Sequence, residues 1–190
     1  MPINIPTALT WLRILMIPLF TGVYYLPAAW MSMADKNLLA TALFAAAAIT
    51  DWLDGYLARR LDQTSAFGAF LDPVADKLMV AAALIVLVNL DRADPLLAVI
   101  IIGREIAISA LREWMAKLGR PSSIAVAFIG KIKTTAQMAA IVLLLLDAPI
   151  LPGLHAAILG TACLWVAALL TLWSMGYYLR LAAPHLSDKT

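Results

Sequence analysis

The sequence predicts an all-α integral membrane protein: one domain over residues 1–190, six transmembrane helices, both termini cytoplasmic. Composition, the apolar stretches and the placing of charge carry that expectation. Apolar residues make up 63% of the chain and charged residues 14%, where soluble domains carry about a quarter charged. Mean hydropathy is +0.88. Six apolar stretches reach the roughly 20 residues that a spanning helix needs. Lys and Arg gather on one side of the resulting layout, which sets its orientation.

The stretches fall at about 8–28, 37–59, 69–90, 95–117, 124–147 and 152–179. The breaks between them hold turn formers: Pro27 to Asn37, Arg60 to Ser65, Asp91 to Pro95, Gly119 to Ser123, and Asp147 to Pro152. The start, MPINIPTALTWLR, lacks a basic run before its apolar segment, so that segment reads as a retained span rather than a cleaved signal. Arg59, Arg60, Lys117, Arg120, Arg180 and Lys189 share one side, and Lys36 and Arg92 the other. The richer side is cytoplasmic. A formal charge of +2 gives no footprint for nucleic acid. Cys163 is the only cysteine, so no intrachain disulfide exists, and it reads as a small packing residue.

Acid concentrates in one place. Asp51, Asp54, Asp72 and Asp76 lie within DWLDGYLARRLDQTSAFGAFLDPVADK. The first pair is spaced i, i+3 and the second i, i+4, so each lies on one helix face. Carboxylates converging from two helices repel unless a cation lies between them, which points to a divalent metal. Asp72 precedes Pro73. It either caps a helix that starts at Pro73 or marks a kink within the third helix.

Other charges fall inside the apolar stretches: Arg13, Arg104, Glu105, Arg112, Lys131 and Lys133. Ionisable groups in hydrocarbon pair with one another or line a wet cavity. For Arg104 and Glu105 the favoured reading is structural pairing. For Arg112, Lys131 and Lys133 it is a cationic pocket, since Glu105 and Glu113 are too few to neutralise them together with Lys117 and Arg120. Such a pocket suits an anion, and phosphate above all.

Written as a pattern, the acidic stretch is D-x2-D-G-x2-A-R-x8-G-x3-D-x3-D, filled by Asp51, Asp54, Gly55, Ala58, Arg59, Gly68, Asp72 and Asp76. It resembles the signature of the CDP-alcohol phosphotransferase family. Thr7, Thr10 and Arg13 resemble the N/T-x2-T-x2-R start of those chains, with Thr where Asn also occurs. FGAFLDPVADK, IGREIAISALREWM and GKIKTTAQM are similar to the bacterial phosphatidylglycerophosphate synthases, and the resemblance runs from Asn4 to about Trp173.

The resemblance implies a phospholipid-biosynthetic transferase of the bacterial cytoplasmic (inner) membrane, multi-pass and homodimeric, with its site facing the cytoplasm. It implies CDP-diacylglycerol as donor, sn-glycerol 3-phosphate as acceptor, and phosphatidylglycerophosphate and CMP as products. Asp51, Asp54, Asp72 and Asp76 are then ligands of two Mg²⁺ or Mn²⁺ ions, and Asp76 is the base. Gly55, Ala58, Arg59 and Gly68 contact the donor. Thr7 and Thr10 either contact its nucleotide or cap the first helix. Arg112, Lys131 and Lys133 would hold the acceptor phosphate, a role that charge alone extends to inositol phosphate. A divalent-ion transporter is the alternative from another class. No internal repeat supports it, and the charges cluster toward one side instead of forming a path across.

Overall fold

A computed structural model describes residues 5–60, 66–117 and 124–186. Side chains are described throughout these stretches except at 5–6, 52, 54–55, 58–59, 66, 69, 112, 116–117, 124–131 and 181–186. Six long helices follow one another: α1 (Ile5–Gly22), α2 (Met33–Arg60), α3 (Ala66–Asn89), α4 (Pro95–Lys117), α5 (Ile124–Leu146) and α6 (Ala156–Leu186). A 3₁₀ turn, Val23–Tyr25, follows α1.

Local chemistry sets several boundaries. Ser32 opens α2: its hydroxyl accepts from the Asp35 amide at 3.2 Å and donates to the Asp35 carboxylate at 2.6 Å. Asp94 caps α4 by accepting from the Leu96 amide at 2.7 Å, with Pro95 at the first helical position. Asp91, at φ 56°, ends the run of α3, and the Arg92 amide donates back to the Leu87 carbonyl at 2.9 Å. Pro73 lies inside α3. Asp72 is therefore a residue of a continuing helix, not the cap of one starting at Pro73.

Two short strands, β1 (Pro149–Leu151) and β2 (Leu154–His155), pair antiparallel between α5 and α6. Pro152 and Gly153 make the turn, and Gly153 takes φ 82°, which its missing Cβ allows. The all-α expectation placed a break from Asp147 to Pro152 here and a helix from about 152 onward. The difference is a minimal hairpin.

The expectation of six transmembrane helices is corrected. Among the described residues, two helices are long and apolar enough to cross a membrane: Thr7–Tyr25 and Ala156–Arg180. The other four each carry more than one charged group. Asp51 and Asp54 break α2, Asp72, Asp76 and Lys77 break α3, and Arg104, Glu105, Arg112 and Glu113 break α4. Among the described residues α5 holds an apolar segment, Ile132–Leu146, with Lys133 inside it. The orientation counted on six crossings, with both termini cytoplasmic, falls with it. Leu15, Leu19, Leu169 and Trp173 leave broad apolar surface exposed on the two qualifying helices, as a bilayer contact requires.

The core joins all six helices through Phe20, Phe44, Leu84, Leu87, Ile101, Ile141, Leu144 and Leu164. At the end away from the aspartates, Arg92 ties four segments. It donates to Asn37 at 3.0 Å and to the Leu145 carbonyl at 3.2 Å, and pairs with Asp147 at 3.0 Å. Helices α5 and α6 share the most extensive contact. Gly160 lets them close: a Cβ there would stand 2.7 Å from Leu144 Cγ and 3.1 Å from its amide nitrogen. Gly160→Ala is expected to cost about 1–3 kcal/mol through overpacking, read as a lower unfolding midpoint in detergent. An unchanged midpoint would mean that the two helices separate freely.

Candidate active site

Helix α1 packs on both α2 and α3, and it presents a polar row to them. Thr7, Thr10 and Arg13, one helical step apart, are all buried. Arg13 is only 1% exposed, yet it meets two carboxylates. Its Nη1 lies 3.0 Å from Asp51 Oδ1 on α2 and donates to Asp76 Oδ1 on α3 at 2.5 Å. Thr10 donates its hydroxyl to Asp72 Oδ1. Three of the four aspartates thus converge on one face of α1. Asp51 and Asp76 keep 45% and 47% of their side-chain surface exposed, so they remain open to a ligand.

Asp76 lies between two cavities. One, of about 100 Å³, is walled by Arg13, Phe44, Asp51, Thr134 and Met138. The other, of about 210 Å³, is walled by Pro73, Lys77, Glu105, Thr134 and Gln137. A third, of about 440 Å³, opens between α3 and α4 against Phe70, Lys77, Arg104, Glu105, Ser109 and Glu113.

The cationic half of the site is partly paired. Glu105 accepts from Arg104 at 3.2 Å and also from Lys133 of α5. Arg104 in turn donates to Ser174 of α6 at 2.8 Å. The structural pairing expected for Arg104 and Glu105 is present, and Lys133, expected at the acceptor phosphate, joins it. Two cations on one carboxylate leave the trio with net positive charge. Glu105 walls both larger cavities, and Arg104 walls the third.

A model of the CDP-alcohol phosphatidyltransferase family matches residues 3–173. The chain belongs to that family. Within it, proteins named CDP-diacylglycerol–glycerol-3-phosphate 3-phosphatidyltransferase from Escherichia coli (strain K12), Salmonella typhimurium (strain LT2) and Shigella flexneri are each 50% identical to it over 191 residues. Each alignment covers all of both chains.

For this CDP-alcohol phosphatidyltransferase, Asp51, Asp72 and Asp76 of the motif meet at the site, and Gly68 is buried in α3. The side chains of Asp54, Gly55, Ala58 and Arg59 lie outside the described residues, as do those of Arg112 and Lys131. Family membership carries divalent-cation dependence, and the donor chemistry suits it. Carboxylate oxygens, the ligands that hard divalent ions prefer, already meet on a cationic group, Arg13. Among the described residues, no three acidic, His or Cys side chains group closely enough to hold an ion, and Asp54 is not one of those described. In the sequence Arg13 stands in the T-x2-T-x2-R start, where spacing alone assigns it no role. Gln137 shares a helix face with Lys133 in the sequence, which assigns it no role, and Lys77 and Thr134 carry no local signal; all three wall the cavities beside Asp76. The i, i+3, i+6 row of α1 and the shared face of Lys133 and Gln137 were the available signals.

Proposed function

We propose that this chain transfers the phosphatidyl group of CDP-diacylglycerol to sn-glycerol 3-phosphate, giving phosphatidylglycerophosphate and CMP. What carries this reading is Asp76, set between two cavities in a chain half identical, end to end, to proteins named for that reaction. In this scheme the donor's pyrophosphate lies on the Asp51 and Arg13 side. Gly55, Ala58 and Gly68 allow close approach of its nucleotide, and Arg59 holds its phosphates. Thr10 orients Asp72, and Thr7 continues the same buried row. The acceptor enters on the Lys77 and Gln137 side, its phosphate drawn by the positive charge of Arg104, Lys133 and Glu105 together with Arg112 and Lys131.

The reaction is a direct displacement. The C1 hydroxyl of the acceptor forms a bond to the phosphorus that bears diacylglycerol, and the bond from that phosphorus to the CMP oxygen breaks. The hydroxyl proton passes to the Asp76 carboxylate, and CMP leaves as a phosphate monoester. Arg13, on one Asp76 oxygen, fixes the direction of that carboxylate. Asp51, Asp54, Asp72 and Asp76 are the residues that would hold Mg²⁺ or Mn²⁺, two ions in our reading. When bound, these neutralise charge on the pyrophosphate and the leaving phosphate.

The setting is a bacterial membrane. We infer that the site faces the cytoplasm from the inner membrane, since Arg59 and Arg60 follow Asp51 and Asp54 in the sequence and basic residues favour the cytoplasmic side. We also infer that the enzyme works as a homodimer, which the molecular mass in detergent tests. The deciding assay gives purified protein CDP-diacylglycerol and glycerol 3-phosphate with Mg²⁺ or Mn²⁺. CMP release that EDTA abolishes and either ion restores is the expected result. Release with inositol phosphate or serine, but not with glycerol 3-phosphate, would sink the acceptor assignment. EDTA-resistant turnover would remove the metal role.

A further inference from the structure

Gln137 is 4% exposed, and its amide oxygen meets no hydrogen-bond donor among the described residues. A buried polar atom left unpaired costs about 1–3 kcal/mol. Such a cost persists where a ligand removes it. Gln137 walls the cavity of about 210 Å³ that Asp76 also walls. That volume lies below the roughly 300–1,000 Å³ of pockets for drug-sized ligands. It suits a molecule of a few carbons and not a nucleotide-linked lipid.

The chemistry of the walls orders such a molecule. Asp76 is the group that receives a proton. Lys77 is the cation on this wall and suits an anion, while the carboxylate of Glu105, also on the wall, is held by Arg104 and Lys133 behind it. Gln137 is neutral, so it neither removes a proton nor balances a phosphate, but it matches a hydroxyl. On α5 it lies one turn from Lys133 and on the same face. A hydroxyl held by Gln137 therefore stands near both the reacting end and the phosphate end. In glycerol 3-phosphate, the C2 hydroxyl occupies that place.

We propose that Gln137 is a specificity-determining residue that accepts a hydrogen bond from the C2 hydroxyl of the acceptor, so that the enzyme demands a vicinal diol phosphate. This rests on the acceptor reading above. A site with a buried group waiting for a hydroxyl rejects the analogue that lacks it, because the group then stays unpaired.

The test compares sn-glycerol 3-phosphate with 3-hydroxypropyl phosphate, which lacks only the middle hydroxyl, using CDP-diacylglycerol as donor. The wild-type enzyme is expected to use the deoxy acceptor with kcat/KM lower by about tenfold or more. Gln137→Met should lower kcat/KM for glycerol 3-phosphate by about tenfold and leave the deoxy acceptor within about twofold. The gap between acceptors then closes while the donor KM holds. A residue of merely structural importance would lower both acceptors together, and that result overturns the inference. Equal use of the two acceptors by the wild-type enzyme overturns it as well, even if the variant fails to fold. Turnover of neither acceptor, with CMP release supported by inositol phosphate, overturns the glycerol 3-phosphate reading and this inference with it.

Discussion

Asp76→Asn is expected to lower CMP release by about a hundredfold or more while the KM for CDP-diacylglycerol stays within a few-fold of wild type. General-base catalysis contributes about 10²–10⁴ in rate, and an amide cannot take the acceptor's proton. The substitution is nearly isosteric. The Asn carbonyl oxygen still accepts from Arg13, so the local geometry that now places Asp76 Oδ1 at 2.5 Å from Nη1 has a substitute. The loss should therefore fall on kcat. Steady-state CMP release with each substrate varied in turn measures it. Activity within tenfold of wild type would show that the proton goes elsewhere. A loss that appears mainly in the donor KM would instead make Asp76 a donor-binding group. Asp51→Asn is the useful contrast. Asp51 walls the cavity shared with Arg13 and Phe44, so its loss should weaken the response to the divalent ion more than the acceptor chemistry.

The acidic half of the site was legible because it is local. Residue type and i, i+3 or i, i+4 spacing within one stretch place Asp51, Asp72 and Asp76 with no knowledge of the fold. The helices were legible too: α4 runs from Pro95 to Lys117 as its apolar run and its Asp94-Pro95 start suggest. What the sequence hid is what depends on distant pairing. Arg13 lies 63 residues from Asp76, Thr10 62 from Asp72, and Lys133 28 from Glu105. No local pattern encodes these partners. The six crossings failed for a related reason. Apolar content summed over each stretch passes as a span, but Asp76, Glu105 and Lys133 make three of those helices the walls of a polar site. The hairpin of residues 149–155 escaped notice because its strands are too short to show a period of two.

Arg13→Gln carries the second large effect. Arg13 is all but fully buried and holds a carboxylate of α2 and one of α3 on the same nitrogen. Removing one partner of a buried pair costs about 3–5 kcal/mol. Here Asp51 and Asp76 are nearly half exposed, and water compensates part of the loss, so about 1–3 kcal/mol is expected. The unfolding midpoint in detergent reads it. The rate should fall by about a hundredfold, because Asp76 then loses the contact that aims it. Arg13→Lys should lie between: the charge remains, but one ammonium cannot match the planar fork of the guanidinium. The double variant Arg13→Gln with Asp51→Asn separates electrostatics from packing. If the cost comes from two carboxylates left to repel each other, neutralising Asp51 restores part of the midpoint and none of the activity. The two stability losses are then strongly non-additive. Losses that simply add would mean that Arg13 fills space between α1, α2 and α3 and does not govern the charge of the site.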